Sequence, residues 1–187
     1  PYTTLFRSFD ALIIDQCKHK EVPTELVLQI IKIESSSNPY ALNINTKDSP
    51  PKAIIPSSKE EAFTIAQKYI NEGHSVDIGL MQINSKNLGA NTIIDVLDPC
   101  TNITLGSSIY HSFYKATPAQ DDDKTRIQKA LSAYNTGSFT NGFKNGYVQK
   151  YFPKTPSALT PEQIKKYAKH LLSIRFPSEL VASAHKR

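Results

Sequence analysis

The segment from residue 24 to residue 33 predicts an α-helix that is apolar nearly all the way round. Pro23 suits the first turn of a helix, and Leu26 and Ile30 recur at helical spacing while other aliphatic residues widen the apolar face. A helix with so little polar surface must be buried on most sides, so we expect it at the centre of a domain. It ends in Glu34-Ser35-Ser36-Ser37-Asn38-Pro39, where proline and small polar residues stop a helix.

Helical spacing of apolar residues continues over most of the chain and is lost between residues 40 and 56, where Asn, Asp, Ser and Pro dominate. Only brief runs there, such as residues 53–55, are compatible with short strands. We therefore predict a mostly α-helical domain of the α+β type, with a small insertion of loops and short strands before Gly79-Leu80-Met81-Gln82. Further helices are predicted over residues 5–19, 99–117 and 124–134, from a capping box at Ser57 and Glu60 to Gly73, and after Thr160.

The length of 187 residues fits one globular domain with a short appendage. We predict a compact domain at residues 1–152 and a C-terminal extension with one amphipathic helix at residues 153–187, because residues 153–161 have the composition of a linker. No apolar stretch approaches the roughly 18 residues of a membrane-spanning helix, so no integral membrane segment is predicted. Residues 1–9 lack a signal-peptide pattern, and we expect that a leader was removed or that the sequence is a piece of a longer one.

The formal net charge of +5 and the pI near 9.1 favour a polyanionic partner, such as nucleic acid, an anionic lipid or an acidic cell-wall polymer. The basic residues are scattered rather than aligned as a stripe that follows phosphates, which argues against nucleic acid. Cys17 and Cys100 are the only cysteines, and their separation fits no metal or redox motif. A single disulfide in an oxidising compartment and two buried free thiols in a cytosolic protein are both compatible with this count.

Several common catalytic sites are excluded, because the sequence lacks the motifs of the phosphate-binding P-loop, the dinucleotide-binding turn, the zinc proteases and the serine-hydrolase elbow. The five histidines are dispersed and lack the spacing of metal ligands. Glu34 remains a candidate because it ends the most apolar helix of the chain. Burial disfavours the charged form of a carboxylate, so its pKa rises toward the range of a general acid at neutral pH. The alternative is a glutamate that points into water at a helix end.

Three ordered motifs give this glutamate a context: Glu34-Ser35 followed by Asn38-Pro39-Tyr40-Ala41, then Gly79-Leu80-Met81-Gln82-Ile83-Asn84, then Ala133-Tyr134-Asn135-Thr136-Gly137. Together they resemble the signature of lytic transglycosylases with the goose-type-lysozyme-like fold, the SLT family. Within this family the chain most resembles the peptidoglycan-remodelling subunit of type IV secretion systems, through Asp77-Ile78, residues 98–103 and Gly146-Tyr147-Val148. The resemblance covers about residues 12–152.

The resemblance implies a lysozyme-like fold and cleavage of the β-1,4 bond between N-acetylmuramic acid and N-acetylglucosamine in peptidoglycan, with formation of 1,6-anhydromuramic acid. Glu34 would be the single catalytic residue, and neither a cofactor nor a metal is implied. The implied setting is the periplasm, where an exported enzyme would open the cell wall for a type IV secretion machine, without nucleic acid as a partner. In that setting Cys17 and Cys100 would form a disulfide.

Residues of the second motif would contact the substrate. Gly79 would let a sugar ring approach the backbone closely. Met81 would form an apolar lip of the cleft or part of the core, and Gln82 would present a polar group to the cleft or fix the loop by a hydrogen bond. The full set of implied substrate-binding residues is Ser35, Asp77, Gly79, Leu80, Met81, Gln82, Tyr134 and Asn135.

The remaining motif residues have local roles as alternatives. The Tyr134 hydroxyl would hydrogen-bond the Glu34 carboxyl or the sugar, and Asn135 would fix the turn that follows it. Ser35 is predicted to form a hydrogen bond at the helix end rather than act as a nucleophile, because no histidine base accompanies it. Aromatic residues that could provide sugar-stacking walls, although helix-spaced aromatics usually belong to the core, are Tyr40, Tyr110, Phe139, Phe143 and Tyr147.

Two other functions stay open. The stretch that begins at Asp77 also resembles the part of c-type lysozymes that holds the second catalytic carboxylate, which would permit hydrolysis by Glu34 and Asp77. A non-catalytic module would instead bind a glycan or a secretion partner, with Glu34 idle. Cleavage by the wild type that is lost in Glu34→Gln distinguishes an enzyme from such a module.

Overall fold

The computed structural model describes residues 11–46 and 49–152. The described residues up to Tyr151 belong to one compact unit, and a second unit begins at Phe152. The helix predicted after Thr160 and residues 5–10 of the first predicted helix lie outside the described residues, and the domain boundary at residue 152 stays a prediction. The helices are α1 (Ala11–Cys17), α2 (Thr24–Ser35), α3 (Lys59–Asn71), α4 (Ile93–Val96), α5 (Pro99–Ala116), α6 (Asp123–Thr136) and α7 (Asn141–Lys144). The strands are β1 (Leu42–Asn45), β2 (Lys52–Ile54), β3 (Ser75–Ile78) and β4 (Ile83–Asn84), and short 3-10 helices cover Ser85–Asn87 and Val148–Lys150.

Helix α2 contributes one continuous face to the core. Val27 and Ile30 are fully buried, Ile31 is nearly so, and the buried face continues to Ser35 in the last turn. After Ser35 the backbone of Ser36 turns into the left-handed region with a φ of 53°, which ends the helix. The end of α2 therefore fixes the position of the glutamate that precedes Ser35.

The four strands form an antiparallel sheet in the order β2-β1-β3-β4. In β1, Leu42 and Ile44 are buried in the core, so Asn43 and Asn45 lie on the opposite face of the sheet. The register places Asn43 directly opposite Asp77 of β3. The sheet thus gathers polar side chains on one face while its other face joins the core.

Aspartate and serine caps set the starts of the long helices. Asp98 caps α5 and Asp122 caps α6, and each side chain accepts a hydrogen bond from a backbone N–H of the first turn. For α3 the predicted capping pair is wrong by one residue, since Ser58 caps the helix and accepts a hydrogen bond from the backbone of Glu61. The Glu61 carboxylate in turn accepts hydrogen bonds from Ser57, so this glutamate rather than its neighbour turns back over the first turn.

A disulfide between Cys17 and Cys100 joins the end of α1 to the first turn of α5, with the two Cα atoms 5.1 Å apart. It confirms the predicted disulfide and excludes the free-thiol alternative. The same junction is held by a hydrogen bond of 2.8 Å from the backbone N–H of His19 to the hydroxyl of Ser107.

These elements confirm the predicted fold class, which is mostly α-helical with a small antiparallel sheet inserted before the Gly79-Leu80-Met81-Gln82 motif. Across residues 11–46 and 49–152, every helix is too short or too polar to cross a membrane.

Candidate active site

A cleft of about 710 Å³ is lined by residues from the end of α2, the sheet and the end of α6. Several predicted site residues line it, whereas Gly79, Leu80 and Met81 do not. The predicted residues in the lining are Glu34, Ser35, Asp77, Gln82, Tyr134 and Asn135.

The Glu34 carboxyl lies at the end of α2 and accepts a hydrogen bond at Oε1 from the hydroxyl of Tyr147. Burial, with a smaller contribution from the negative charge of Asp77, raises the pKa of this carboxyl to about 7. The hydrogen bond from Tyr147 and the positive charge of Lys150 act in the opposite direction. A carboxyl with a pKa near 7 can donate and accept a proton at neutral pH, as general acid–base chemistry requires.

Tyr147 is the partner that the sequence analysis missed. Its side chain is 4% exposed, so of its two predicted places Tyr147 takes the core rather than a sugar-stacking wall. Tyr147 and Glu34 are 113 positions apart in the sequence, so no local spacing indicates their contact. Its place in the Gly146-Tyr147-Val148 motif is the only sequence feature that could have drawn attention to it.

Tyr134 does not hydrogen-bond the Glu34 carboxyl, which corrects one of the two roles predicted for it. Its hydroxyl donates to the backbone carbonyl of Met81 at 2.7 Å. A tyrosine hydroxyl has one proton to donate, so this bond occupies it. Tyr134 thereby fastens α6 to the turn that follows β3, and it still lines the cleft.

Asp77 lies on β3 among the asparagines of the polar sheet face. Its Oδ1 accepts a hydrogen bond of 2.7 Å from Asn84, and its Oδ2 accepts bonds of 2.9 Å from Asn45 and 3.3 Å from Asn43. Three amide donors on one carboxylate hold its orientation. The sequence analysis missed these asparagines, although the alternation of apolar and polar residues from Leu42 to Asn45 is a signal for them.

Gly79 has a structural reason that differs from the predicted approach of a sugar. Its φ is +77°, and a Cβ atom at this position would collide with the side-chain amide of Asn102. Asn102 is buried in α5 and donates to the carbonyls of Ile78 and Val96, both at 2.9 Å, while it accepts from the N–H of Met81 at 2.8 Å. The glycine therefore makes room for the side chain that fixes the turn.

The rest of the turn is mostly core. Leu80 and Met81 are fully buried, and Met81 packs against Gly106 of α5, so Met81 belongs to the core, which is one of its two predicted roles, and does not form an apolar lip. Gln82 donates from its amide to the carbonyls of Ala41 at 3.0 Å and Gly79 at 2.8 Å. It fixes the turn and also lines the cleft, which combines its two predicted roles in one residue.

Two further polar residues line the cleft, and each forms a hydrogen bond with a nearby part of the protein. The Ser35 hydroxyl donates to the carbonyl of Ile31 at 3.0 Å, one turn back in α2. The Asn135 side chain accepts a hydrogen bond of 2.9 Å from Asn145, which links the end of α6 to the end of α7. Among the described residues, no three side chains of His, Cys, Asp or Glu form a group that could hold a metal ion, and the absence of a cofactor stays a prediction.

The chain matches the family model described as the transglycosylase SLT domain over residues 11–155, and it belongs to this family. The description of this family names a transglycosylase. No solved structure matches the chain.

Relatives of known sequence include two proteins called virB1. Protein virB1 of Agrobacterium fabrum (strain C58 / ATCC 33970) is 34% identical over 137 residues, which cover 72% of this chain and 54% of that protein. Type IV secretion system protein virB1 of Brucella suis biovar 1 (strain 1330) is 32% identical over 150 residues, which cover 74% of this chain and 60% of that protein. Uncharacterized protein y4dP of Sinorhizobium fredii (strain NBRC 101917 / NGR234) is 27% identical over 144 residues, covering 70% of each. The chain thus spans little more than half the length of the first of these relatives.

Proposed function

We propose that the protein is a peptidoglycan lytic transglycosylase with Glu34 as its catalytic acid and base. The main support is the Glu34 carboxyl itself, which lines the cleft, has a pKa of about 7 and accepts a single side-chain hydrogen bond among the described residues. The family match gives the reaction class. The net charge of +5 suits an anionic, peptide-bearing glycan.

In the proposed mechanism, protonated Glu34 gives its proton to the glycosidic oxygen as the bond from that oxygen to C1 of N-acetylmuramic acid breaks. The carboxylate then accepts the proton of the C6 hydroxyl of the same sugar while the oxygen of that hydroxyl bonds to C1. The product is a 1,6-anhydro ring, and no water is consumed. One carboxyl with a pKa near 7 serves both steps, because it is readily protonated and deprotonated at neutral pH.

Asp77 supports a second candidate function, which is hydrolysis. Its carboxylate lines the same cleft as Glu34, and glycosidases commonly use two carboxylates across the scissile bond. We favour the transglycosylase because three amide donors already hold the Asp77 carboxylate. In our proposal Asp77 stabilises the positive charge that develops on the sugar ring and forms no bond to it.

The proposed setting is the periplasm, at a type IV secretion machine that must pass through the cell wall. The disulfide supports an oxidising compartment, and the name of the Brucella suis relative supports the machine. A strain that lacks the protein should assemble fewer such machines. The wild-type gene should restore assembly, and the Glu34→Gln gene should not.

Digestion of purified peptidoglycan tests the activity. We expect Glu34→Gln to lose at least about a hundredfold in rate, the lower range for a lost general acid, and to keep its affinity for the glycan. Glu25→Gln is the matched control, because Glu25 is exposed in the first turn of the same helix. Equal cleavage by the wild type and Glu34→Gln would refute the assignment, whereas glycan binding without cleavage by the wild type would indicate a non-catalytic module.

A further inference from the structure

Tyr151 extends the hydrogen-bond chain that begins at Glu34. Its hydroxyl lies 2.7 Å from the hydroxyl of Tyr147, and the two rings pack with centroids 5.3 Å apart at an angle of 56°. The two tyrosines are one helical turn apart in the chain, so the backbone between them sets their spacing. Nothing in the mechanism above uses Tyr151.

The direction of this chain follows from counting protons. Each tyrosine hydroxyl has one proton to donate and can accept at its oxygen. Tyr147 donates its proton to Oε1 of Glu34, so the bond of 2.7 Å between the tyrosines requires Tyr151 as the donor. Two consecutive donors that point at a carboxylate polarise one another and strengthen the final bond.

We propose that Tyr151 is a positioning residue for Glu34. By donating a hydrogen bond to Tyr147, it keeps the Tyr147 hydroxyl donating to Oε1 and leaves Oε2 to hold the proton that is transferred. This part of the proposal rests on the proposed function, since the transferred proton is the one that Glu34 gives to the glycosidic oxygen. Among the described residues, Oε2 accepts no side-chain hydrogen bond, so it is the oxygen available to a glycosidic bond in the cleft.

Without the Tyr151 hydroxyl, nothing fixes the direction of the hydrogen bond from Tyr147 to Glu34. The Tyr147 oxygen would then have an unused acceptor position, and protonated Glu34 could donate into it instead of into the cleft. The bond from Tyr147 to ionised Glu34 would also weaken, which disfavours the carboxylate and raises the pKa of Glu34. The charged or titratable groups that act on Glu34 and these tyrosines are Asp77 from β3, Lys150 and Tyr147 from the segment after α7, and Tyr110 from α5. Tyr134 from α6 is itself affected by Glu34 and Tyr151.

The test is a double-mutant cycle of Tyr147→Phe and Tyr151→Phe, with the Glu34 carboxyl titrated by carbon-13 NMR and assigned from the spectrum of Glu34→Gln. We expect Tyr151→Phe to raise the pKa of Glu34 and to lower kcat by about fivefold, the effect of one hydrogen bond, with KM unchanged. In the Tyr147→Phe background, the further change Tyr151→Phe should shift neither the pKa nor kcat, because Tyr151 acts only through Tyr147.

Tyr110→Phe is the matched control. Tyr110 is a buried tyrosine near Tyr151, but its hydroxyl has no hydrogen-bond partner among the described residues. We expect this variant to leave the pKa of Glu34 unchanged. An unchanged pKa in Tyr151→Phe, or an equal shift in the Tyr147→Phe background, would overturn the proposal. The titration needs no activity, so a wild type that does not cleave glycan would refute the proposed function while the cycle still reports whether Tyr151 acts on Glu34.

Discussion

Glu34 is poised between its two protonation states near neutral pH, because burial raises the pKa of its carboxyl to about 7. The first step of the proposed reaction needs the protonated form. We therefore expect kcat/KM to fall tenfold per pH unit above about pH 7 and to level off below it. A pH–rate profile of glycan cleavage measures this, and a profile that breaks near the ordinary glutamate pKa would contradict it.

The same pKa makes a prediction about stability. The pKa of Glu34 is raised from 4.5 to about 7 on folding, so the folded state binds more protons than the unfolded state between these values. The contribution of Glu34 to the free energy of unfolding therefore falls as pH rises through this window. We expect Glu34→Gln to be more stable than the wild type by roughly 1–3 kcal/mol at pH 8, with the gain disappearing below pH 4.5.

Denaturant unfolding at the two pH values checks this prediction. The change Glu25→Gln on the exposed side of the same helix is the control, for which we expect no comparable gain. A Glu34→Gln variant that is less stable than the wild type at pH 8 would contradict the prediction, because ionisation of the Glu34 carboxyl would then not destabilise the folded protein.

A comparison of Gly79 with Gly73 distinguishes the effect of backbone strain on stability from the effect of a steric collision. Both have positive φ, +77° and +85° respectively, but a Cβ at Gly79 meets the Asn102 amide and a Cβ at Gly73 meets open space. We expect Gly73→Ala to lower the free energy of unfolding by about 1 kcal/mol and Gly79→Ala by several kcal/mol more, because the buried Asn102 must move. Equal losses in thermal or denaturant unfolding would show that the contact with Asn102 is unimportant.

Helix α5 and the sheet are joined through Asn102, and this contact supports the turn beside the cleft. Replacing Asn102 with alanine would leave the buried N–H of Met81 and the carbonyls of Ile78 and Val96 without partners. We expect a loss of roughly 3 kcal/mol in the free energy of unfolding, since each unsatisfied group costs about 1–3 kcal/mol and some relaxation is available. Unfolding of Asn102→Ala measures it, and a loss below about 0.5 kcal/mol, typical of surface changes, would contradict this role.

The longer helices were predictable because their signals are local, whereas the four-residue helices α4 and α7 were not predicted. Apolar spacing and the caps at Asp98 and Asp122 lie within the segments that they define. Strand β1 was harder, since the asparagines at Asn43 and Asn45 have low strand propensity and gain their place from pairing with β3. The one-residue error at Ser58 arose because two adjacent serines offer the same capping chemistry.

For the domain as a unit, the sequence identified the catalytic candidate but not its surroundings. Glu34 could be inferred because the apolar helix before it is continuous in the chain. Its hydrogen bond from Tyr147 joins residues 113 positions apart, and the amides around Asp77 come from two different strands, β1 and β4. Such contacts depend on how the elements pack, which local patterns do not encode.

We propose that the C6 hydroxyl of the substrate, and not water, attacks C1. Digestion of peptidoglycan in oxygen-18 water, followed by mass spectrometry of the released muropeptides, tests it directly. We expect unlabelled products that are lighter by one water than reducing-end products and that are absent with Glu34→Gln. Reducing ends that contain the heavy oxygen would contradict it and would make the protein a lysozyme-type hydrolase in which Asp77 takes part.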